Sequence, residues 1–326
     1  MLAKELKTVG QIIKTLEDSL VNIRIDSDSY VEQGLSSTGP WEQTPVCFSS
    51  TAYLKNISSD QIRIDFHSNI VPWENGAASY LEQSYSVSFD GVKGMRKDIS
   101  SSYGGKSFDR NIGYISQDKP VPLRSSWYDK TIGVYASLFF HFRGVPEPFP
   151  KRFSTHFEAA ADPNYYLSLL VASDPNYLDV KPTVNFKVIH QRLGEIECLK
   201  ATYIGIDDSS REEWWLDSNR GYALLKYTSV GIDQNGNEKV KSLIDVTSLK
   251  KVTENIWWPM KAYFVERPRE VGKPWKRIVY QASNIVVNAP DFDESIFSLS
   301  FPPGCLIDDK VENSQYRIPE DPNSQG

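Results

Sequence analysis

The chain has 326 residues, 40% of them hydrophobic and 24% charged, which are the proportions of a globular protein with a sizeable core. Its 36 basic and 42 acidic residues give a net charge of −6, and the basic residues are scattered along the chain. Because binding to nucleic acid needs a basic surface, this composition argues against a nucleic-acid partner.

Residues 2–20 carry the clearest helical pattern. Apolar side chains recur every three or four residues, at Leu2, Leu6, Val9, Ile12, Ile13, Leu16 and Leu20. This stripe predicts a helix that packs on a sheet. Lys4 and Lys7 are similar to the basic start of an export signal, but Lys14 and Glu17 interrupt the apolar stretch that such a signal requires. The chain as given is therefore expected to lack a signal peptide, and the absence of a run of about 18 apolar residues predicts no transmembrane helix.

Alternation of apolar and polar residues predicts the first group of strands, near 21–31, 45–55, 60–67 and 79–90. In the third of these, Ile62, Ile64 and Phe66 alternate with Arg63 and Asp65. Successive side chains of a strand point to opposite faces, so each such strand has one apolar and one polar face. This pattern is typical of an antiparallel sheet with one solvated side.

The middle of the chain predicts a loop followed by a helical insert over about 131–161. Asp90-Gly91 predicts a hairpin turn, and the Gly- and Ser-rich residues 100–124 predict a loop. A second helix is predicted at 131–143 and a third at 152–161, with prolines between them.

The β pattern then resumes, and the sequence predicts a mainly β fold built on a large antiparallel sheet. Strands are predicted near 183–191, 195–206, 212–217, 222–230, 239–248, 256–267 and 275–287. Asn235-Gly236 marks one of the turns between them. The polar residues 319–326 are expected to form a disordered tail.

Cysteine and histidine are too few for a conventional metal site. The three cysteines, Cys47, Cys198 and Cys305, lack the close spacing that a structural zinc site needs. Cys198 is expected to be a buried thiol, and a disulfide between two of the three remains open. His190 is expected to lie in the core beside Val188.

Two tryptophan pairs, Trp214-Trp215 and Trp257-Trp258, stand on predicted strands. Because adjacent strand residues face opposite sides, each pair places one ring inward and one outward. We expect a helix or loop to cover the outward rings, and the alternative is that they meet a ligand.

No catalytic or nucleotide-binding motif is present, which predicts a protein that is not an enzyme and has no cofactor or bound metal. The acidic run Asp207, Asp208, Glu212 and Glu213 is expected to be a solvated hairpin end rather than a calcium site. Paired carboxylates in a cleft would instead indicate a glycan-active enzyme, and sequence spacing does not exclude that alternative.

A set of motifs in residues 183–318 resembles a known family. These motifs are Trp215-Leu216-Asp217 with Gly221-Tyr222, Trp257-Trp258-Pro259, and Phe297 with Phe301-Pro302-Pro303-Gly304. In them the chain resembles the outer-membrane lipoprotein-carrier (LolA-like) superfamily, particularly exported members from planctomycete-type bacteria. Outside this segment the resemblance extends only to the order of the elements.

The resemblance implies one domain over residues 1–318: an incomplete antiparallel β-barrel with helices on its concave side. It also implies an apolar hollow that carries a lipid or the acyl chain of a lipoprotein, in an exported, periplasmic protein. A cytoplasmic location is the alternative, since no export signal is visible. The helical insert is longer than a minimal carrier needs, so the core could be filled; an envelope sensor or protein-interaction module would then be the alternative function.

The residues expected to contact a hydrophobic ligand come from the apolar faces of the strands and from the second predicted helix. They are Ile64, Phe66, Tyr85, Phe186, Val188, Trp258, Met260 and Phe264 on strands, and Leu138, Phe139 and Phe142 on the helix that would act as a lid.

Overall fold

A computed structural model describes most of the β-rich parts of the chain. The described residues are 2–55, 61–70, 81–90, 93–103, 106–108, 112–116, 186–204, 210–268 and 272–320. The predicted helices at 131–143 and 152–161, with Leu138, Phe139 and Phe142, lie outside them, as do residues 321–326 of the predicted tail.

The described part is mainly β, as predicted, with a single α-helix. That helix, α1, spans Leu2–Ser19, and a 3-10 helix spans Glu294–Phe297. The strands are β1 (Ile23–Gly34), β2 (Trp41–Leu54), β3 (Gln61–Ile70), β4 (Leu81–Asp90), β5 (Gly94–Tyr103), β6 (Lys106–Phe108), β7 (Ile112–Ser116), β8 (Phe186–Leu193), β9 (Ile196–Ile204), β10 (Ser210–Asp217), β11 (Ala223–Ile232), β12 (Glu238–Lys251), β13 (Trp257–Glu266), β14 (Trp275–Val287), β15 (Leu306–Asp309) and β16 (Ser314–Arg317).

The chain divides into two compact units that interleave along the sequence. Unit 1 comprises residues 1–20, 32–42 and 130–280, and unit 2 comprises residues 21–31, 43–129 and 281–326. Strands β1, β2 and β14 therefore contribute residues to both units. The prediction of one domain over 1–318 stays a prediction.

Each unit contains an open series of hydrogen-bonded strands. In unit 1 the order runs β14-β13-β12-β11-β10-β9-β8, and the pairs from β13 to β8 are antiparallel. In unit 2 the order runs β16-β15-β7-β5-β4-β3-β2-β1-β14, with β6 paired to β5 and with β15 parallel to β7. Neither series of described strands returns to its first member, so neither closes into a barrel.

The loop predicted at 100–124 is wrong in part, because β5 continues to Tyr103 and β6 and β7 follow it. Glycine in this stretch predicts a loop, but Gly113 is a buried strand residue in register with Lys97. A Cβ atom at Gly113 would lie 2.4 Å from the ring of Phe301. The glycine is therefore required by close packing on the strand rather than by a turn.

Helix α1 supplies part of the core of unit 1, as its apolar stripe predicts. Val9 and Ile13 are buried against Val188, Leu199, Ala201, Trp214, Leu216 and Leu224 of the sheet. The spacing places Ile12 in the same stripe, but 40% of it is exposed. Its neighbour Ile13 faces the sheet, and one residue along a helix turns a side chain by about 100°, which places Ile12 on the flank.

The backbone of the turn between β10 and β11 explains the motif Trp215-Leu216-Asp217 with Gly221-Tyr222. The carboxylate of the buried Asp217 accepts a hydrogen bond of 2.9 Å from the backbone N–H of Asn219, and its carbonyl accepts one of 2.9 Å from Tyr222. Gly221 has φ +62°, and a Cβ atom there would lie 2.4 Å from the carbonyl oxygen of Asn255. Asp217 and Gly221 are thus turn residues, and this motif needs no ligand to account for it.

Arg277 in β14 joins several strands of unit 1. Its guanidinium pairs with Glu32 and lies between the rings of Trp41 and Tyr263, 4.6 and 4.7 Å from their centroids. We expect Arg277→Lys to lower the free energy of unfolding by about 1–2 kcal/mol, because lysine keeps the charge but loses the planar stacking.

A urea denaturation curve followed by circular dichroism measures this change. Arg24→Lys is the matched control, because Arg24 lies 5.7 Å from the ring of Tyr53 with 48% of its side chain exposed. The control substitution should lower the free energy of unfolding by less than about 0.5 kcal/mol. Equal losses in the two variants would contradict a stacking role for Arg277.

Candidate functional site

The inner face of the unit 1 sheet, defined as the face that carries Trp214 and packs against α1, presents an apolar row across six strands. Its members are consecutive register partners: Val188, Ala201, Trp214, Tyr227, Ile244 and Phe264. Trp214 is fully buried, and its ring centroid lies 5.6 Å from that of Tyr227. This apolar row is the strongest candidate for contact with an apolar ligand.

The apolar row is packed differently at its two ends. Val188, Ala201 and Trp214 belong to the core cluster that holds Val9 and Ile13 of α1, and Tyr227 packs against it. Ile244 is buried but lies outside that cluster, and Phe264 is partly exposed. Helix α1 therefore covers the β8–β10 end of the row, and the β13 end keeps an accessible aromatic side chain.

A carboxylate lies beside the apolar row. Glu212 is two residues from Trp214 on β10, on the same face, in register with Ser229 of β11. Burial raises the pKa of Glu212 to about 7, against the smaller lowering effects of a hydrogen bond with Tyr227 and of the charge on Lys241. Burial together with the Glu212 charge also raises the pKa of Tyr227. The inner face thus combines apolar surface with one carboxyl group that titrates near neutral pH.

The predicted ligand-contacting residues are distributed over both units. In unit 1, Val188 and Phe264 lie in the apolar row, and Phe186 is in register with Tyr203 in the next row of partners, which contains Glu212. Met260 and Trp258 precede Ala262 on β13 by two and four residues. Met260 is partly exposed, and Trp258 is buried. The structure therefore places these unit 1 positions on two strands, β8 and β13, which lie at opposite ends of the apolar row with four strands between them.

The other predicted positions are not gathered at this row. Ile64 and Phe66 are on β3 of unit 2, where Phe66 is in register with Tyr85 of β4. Leu138, Phe139 and Phe142 lie outside the described residues. The ligand-binding role of all eleven residues stays a prediction.

The tryptophan pairs are divided between inside and outside, as predicted. Trp214 and Trp258 are buried, while Trp215 and Trp257 are partly exposed. Lys200 lies 4.9 Å from the ring centroid of Trp215, and Arg220, in the β10–β11 turn, lies 5.2 Å from that of Trp257. Cationic side chains thus partly cover the outward rings, which need no ligand to account for them.

The predictions for His190 and for the cysteines have different outcomes. His190 is exposed, so the prediction of a core position beside Val188 is wrong. It stands on the edge strand β8, two residues beyond the buried Val188. Cys198 is buried as predicted, and all three cysteines are free thiols, which contradicts the disulfide alternative.

The acidic run is split between the two faces of β10. Glu213 forms ion pairs with Lys200 at 3.0 Å and with Arg211 at 3.2 Å, while Glu212 lies on the inner face. Asp207 and Asp208 are outside the described residues. Among the residues whose placement is given, no group of three potential metal ligands comes together.

A polar cavity of about 470 Å³ lies on unit 2, and no pattern in the sequence predicts it. Its lining is formed by polar residues of β1, β2, β3, β4 and β14, including six serines, three aspartates, Thr51, Arg63 and His67. We call it the polar groove. The described residues that line it include none of the predicted ligand-contacting residues.

Comparisons with known proteins give remote structural likenesses. No family model and no curated protein matches the chain. A domain from Vibrio parahaemolyticus whose name assigns it to outer membrane lipoprotein sorting has 8% identity and a TM-score of 0.40, over 90% of this chain and 97% of that chain. A β-barrel-like protein of unknown function from Brucella abortus has 7% identity and a TM-score of 0.26, over 83% and 99% of the two chains.

Within the described segments, no helix is both long enough and apolar enough to span a membrane.

Proposed function

We propose that the chain is a non-enzymatic binding protein for a hydrophobic ligand, a lipid or the acyl chain of a lipoprotein, held on the inner face of unit 1. The observation that carries the proposal is the apolar row, which continues past the cluster packed on α1 to the partly exposed Phe264. The motif resemblance to lipoprotein carriers supports the same class of ligand and an exported location.

Burial of an acyl chain would supply the affinity. Apolar surface contributes roughly 25 cal/mol per Å² removed from water, or about 0.8 kcal/mol for each buried methylene. A segment of eight methylenes would therefore contribute about 6 kcal/mol before the cost of ordering the ligand. Such a segment would lie along β12 and β13, next to Phe264 and the partly exposed Met260.

A charged substitution at Phe264 tests the location of this site. We expect Phe264→Glu to weaken binding of a fluorescent C16 fatty acid at least tenfold, because the new carboxylate would have to be desolvated against the hydrocarbon. The measurement is a titration of the detergent-free protein at constant ionic strength.

Thr247→Glu is the matched control, since it adds the same charge at an exposed position of the neighbouring strand β12. The control should bind the fatty acid as the unaltered protein does. Unchanged binding in Phe264→Glu, or equal losses in both variants, would contradict a site on the inner face.

A further inference from the structure

We propose that the polar groove of unit 2 is a second ligand site and that it accepts a neutral, hydroxyl-rich ligand of the saccharide class. The described residues that line the groove differ from those of the inner face of unit 1, and they offer polar rather than apolar chemistry.

The groove results from short side chains that stand in register on adjacent strands. Asp65 of β3 is paired with Thr51 of β2 and with Ser86 of β4. His67 is paired in the same way with Ser49 and Ser84. Serine and threonine side chains on both sides of β3 leave a depression that larger residues would fill.

The carboxylates of the groove are held in place by hydrogen bonds. Asp26 accepts a hydrogen bond of 2.8 Å from Thr51 and one of 3.0 Å from Asn284, and Arg24 donates to it at 3.3 Å. Both carboxylate oxygens of Asp65 accept from Nε of Arg63, at 3.0 and 3.1 Å. Acceptors fixed in this way cost little entropy when a ligand hydroxyl donates to them.

The charged groups of the groove limit what it can bind. Three aspartates and one arginine are among its described lining residues, and Arg63 already donates to Asp65 and to the carbonyl oxygen of Ile296 at 3.1 Å. An anionic ligand would therefore meet excess negative charge and few uncommitted strong donors. Hydroxyl groups both donate and accept, which matches carboxylate acceptors beside serine hydroxyls.

The same contacts make Asp26 unsuited to act as the general acid of a glycan hydrolase. Burial raises the pKa of Asp26, but hydrogen bonds from Asn284 and Thr51 and the charge of Arg24 outweigh it, so the net shift is downward. Hydrolysis of a glycosidic bond needs a carboxylic acid that is protonated near neutral pH. The contacts of Asp26 instead favour its ionised form.

Titration with cellotetraose and with chitotetraose, followed by NMR of the full chain, tests the proposal. We expect saturable shifts for at least one of them and a tenfold or greater loss of affinity in Asp26→Asn. Asp245→Asn, an exposed aspartate of β12 in unit 1, is the matched control and should bind as the unaltered chain does. A cooperative thermal melt and an unchanged fatty-acid titration would show that Asp26→Asn is folded. Its melting temperature should be lower than that of the unaltered chain, because Arg24, Thr51 and Asn284 stabilise the ionised carboxylate.

Three outcomes would overturn the proposal. The first is no saturable shift with either saccharide, and the second is an equal loss of affinity in Asp26→Asn and its control. The third is binding of spermidine or inorganic phosphate in place of the saccharides, since that would assign the groove to a charged ligand.

Discussion

Trp214→Ala should lower the free energy of unfolding by about 3–5 kcal/mol, one of the two largest effects we expect from a single substitution. Trp214 is fully buried at the centre of the apolar row, beside Tyr227 and the core residues Val9 and Ile13 of α1. Removal of the indole leaves a cavity between the sheet and α1, and neither can move far enough to fill it. Urea denaturation monitored by far-ultraviolet circular dichroism measures the loss.

The adjacent tryptophan is the matched control. Trp215→Ala removes the same side chain from the opposite face, where the ring is partly exposed and contacts Lys200. Trp215→Ala should lower the free energy of unfolding by roughly 1 kcal/mol. Trp214→Phe keeps most of the buried volume, so its loss of unfolding free energy should lie between those of the two alanine variants. It should also remain folded if Trp214→Ala does not. Equal losses at positions 214 and 215 would contradict the assignment of the inner face.

Glu212→Gln should make the protein more stable at alkaline pH, by at most about 3 kcal/mol. The pKa of Glu212 is raised from 4.5 in the unfolded chain to about 7 in the folded one. Ionisation of Glu212 therefore destabilises the fold as pH rises from 4.5 to 7, and the effect is constant above that range. Glutamine stays neutral and still accepts a hydrogen bond from Tyr227.

Urea midpoints measured between pH 4 and pH 9 test this prediction. The two proteins should have similar midpoints near pH 4.5, and the variant should have the higher midpoint above pH 7. Glu213→Gln is the control, because Glu213 points to the other face and pairs with Lys200 and Arg211. Parallel pH profiles for Glu212→Gln and the unaltered protein would contradict the burial of this carboxyl group.

Local patterns predicted the elements that depend on period alone. The helix at 2–20, the late strands and the inside–outside division of the tryptophan pairs all follow from spacings of 3.6 or two residues, and α1, β8–β14 and Trp214 confirm them. The mainly antiparallel fold follows from the same alternation.

The candidate sites depend on register between strands, which a single sequence does not contain. Glu212 and Tyr227 approach each other because β10 and β11 pair with a shift between Trp215 and Leu216. The acidic run around Glu212 gave no sign that one carboxyl group would lie on the apolar face. The polar groove likewise needs five strands to bring their serines and aspartates to one place.

Photolabelling with a diazirine derivative of palmitic acid, followed by peptide mass spectrometry, tests the central proposal most directly. If the inner face of unit 1 holds the hydrocarbon, labelling will be saturable, will compete with unlabelled palmitate, and will fall on β12 and β13 at Ile244, Met260 or Phe264. Labelling that is absent, does not saturate, or is confined to the outward residues of these strands would contradict a hydrophobic ligand site there.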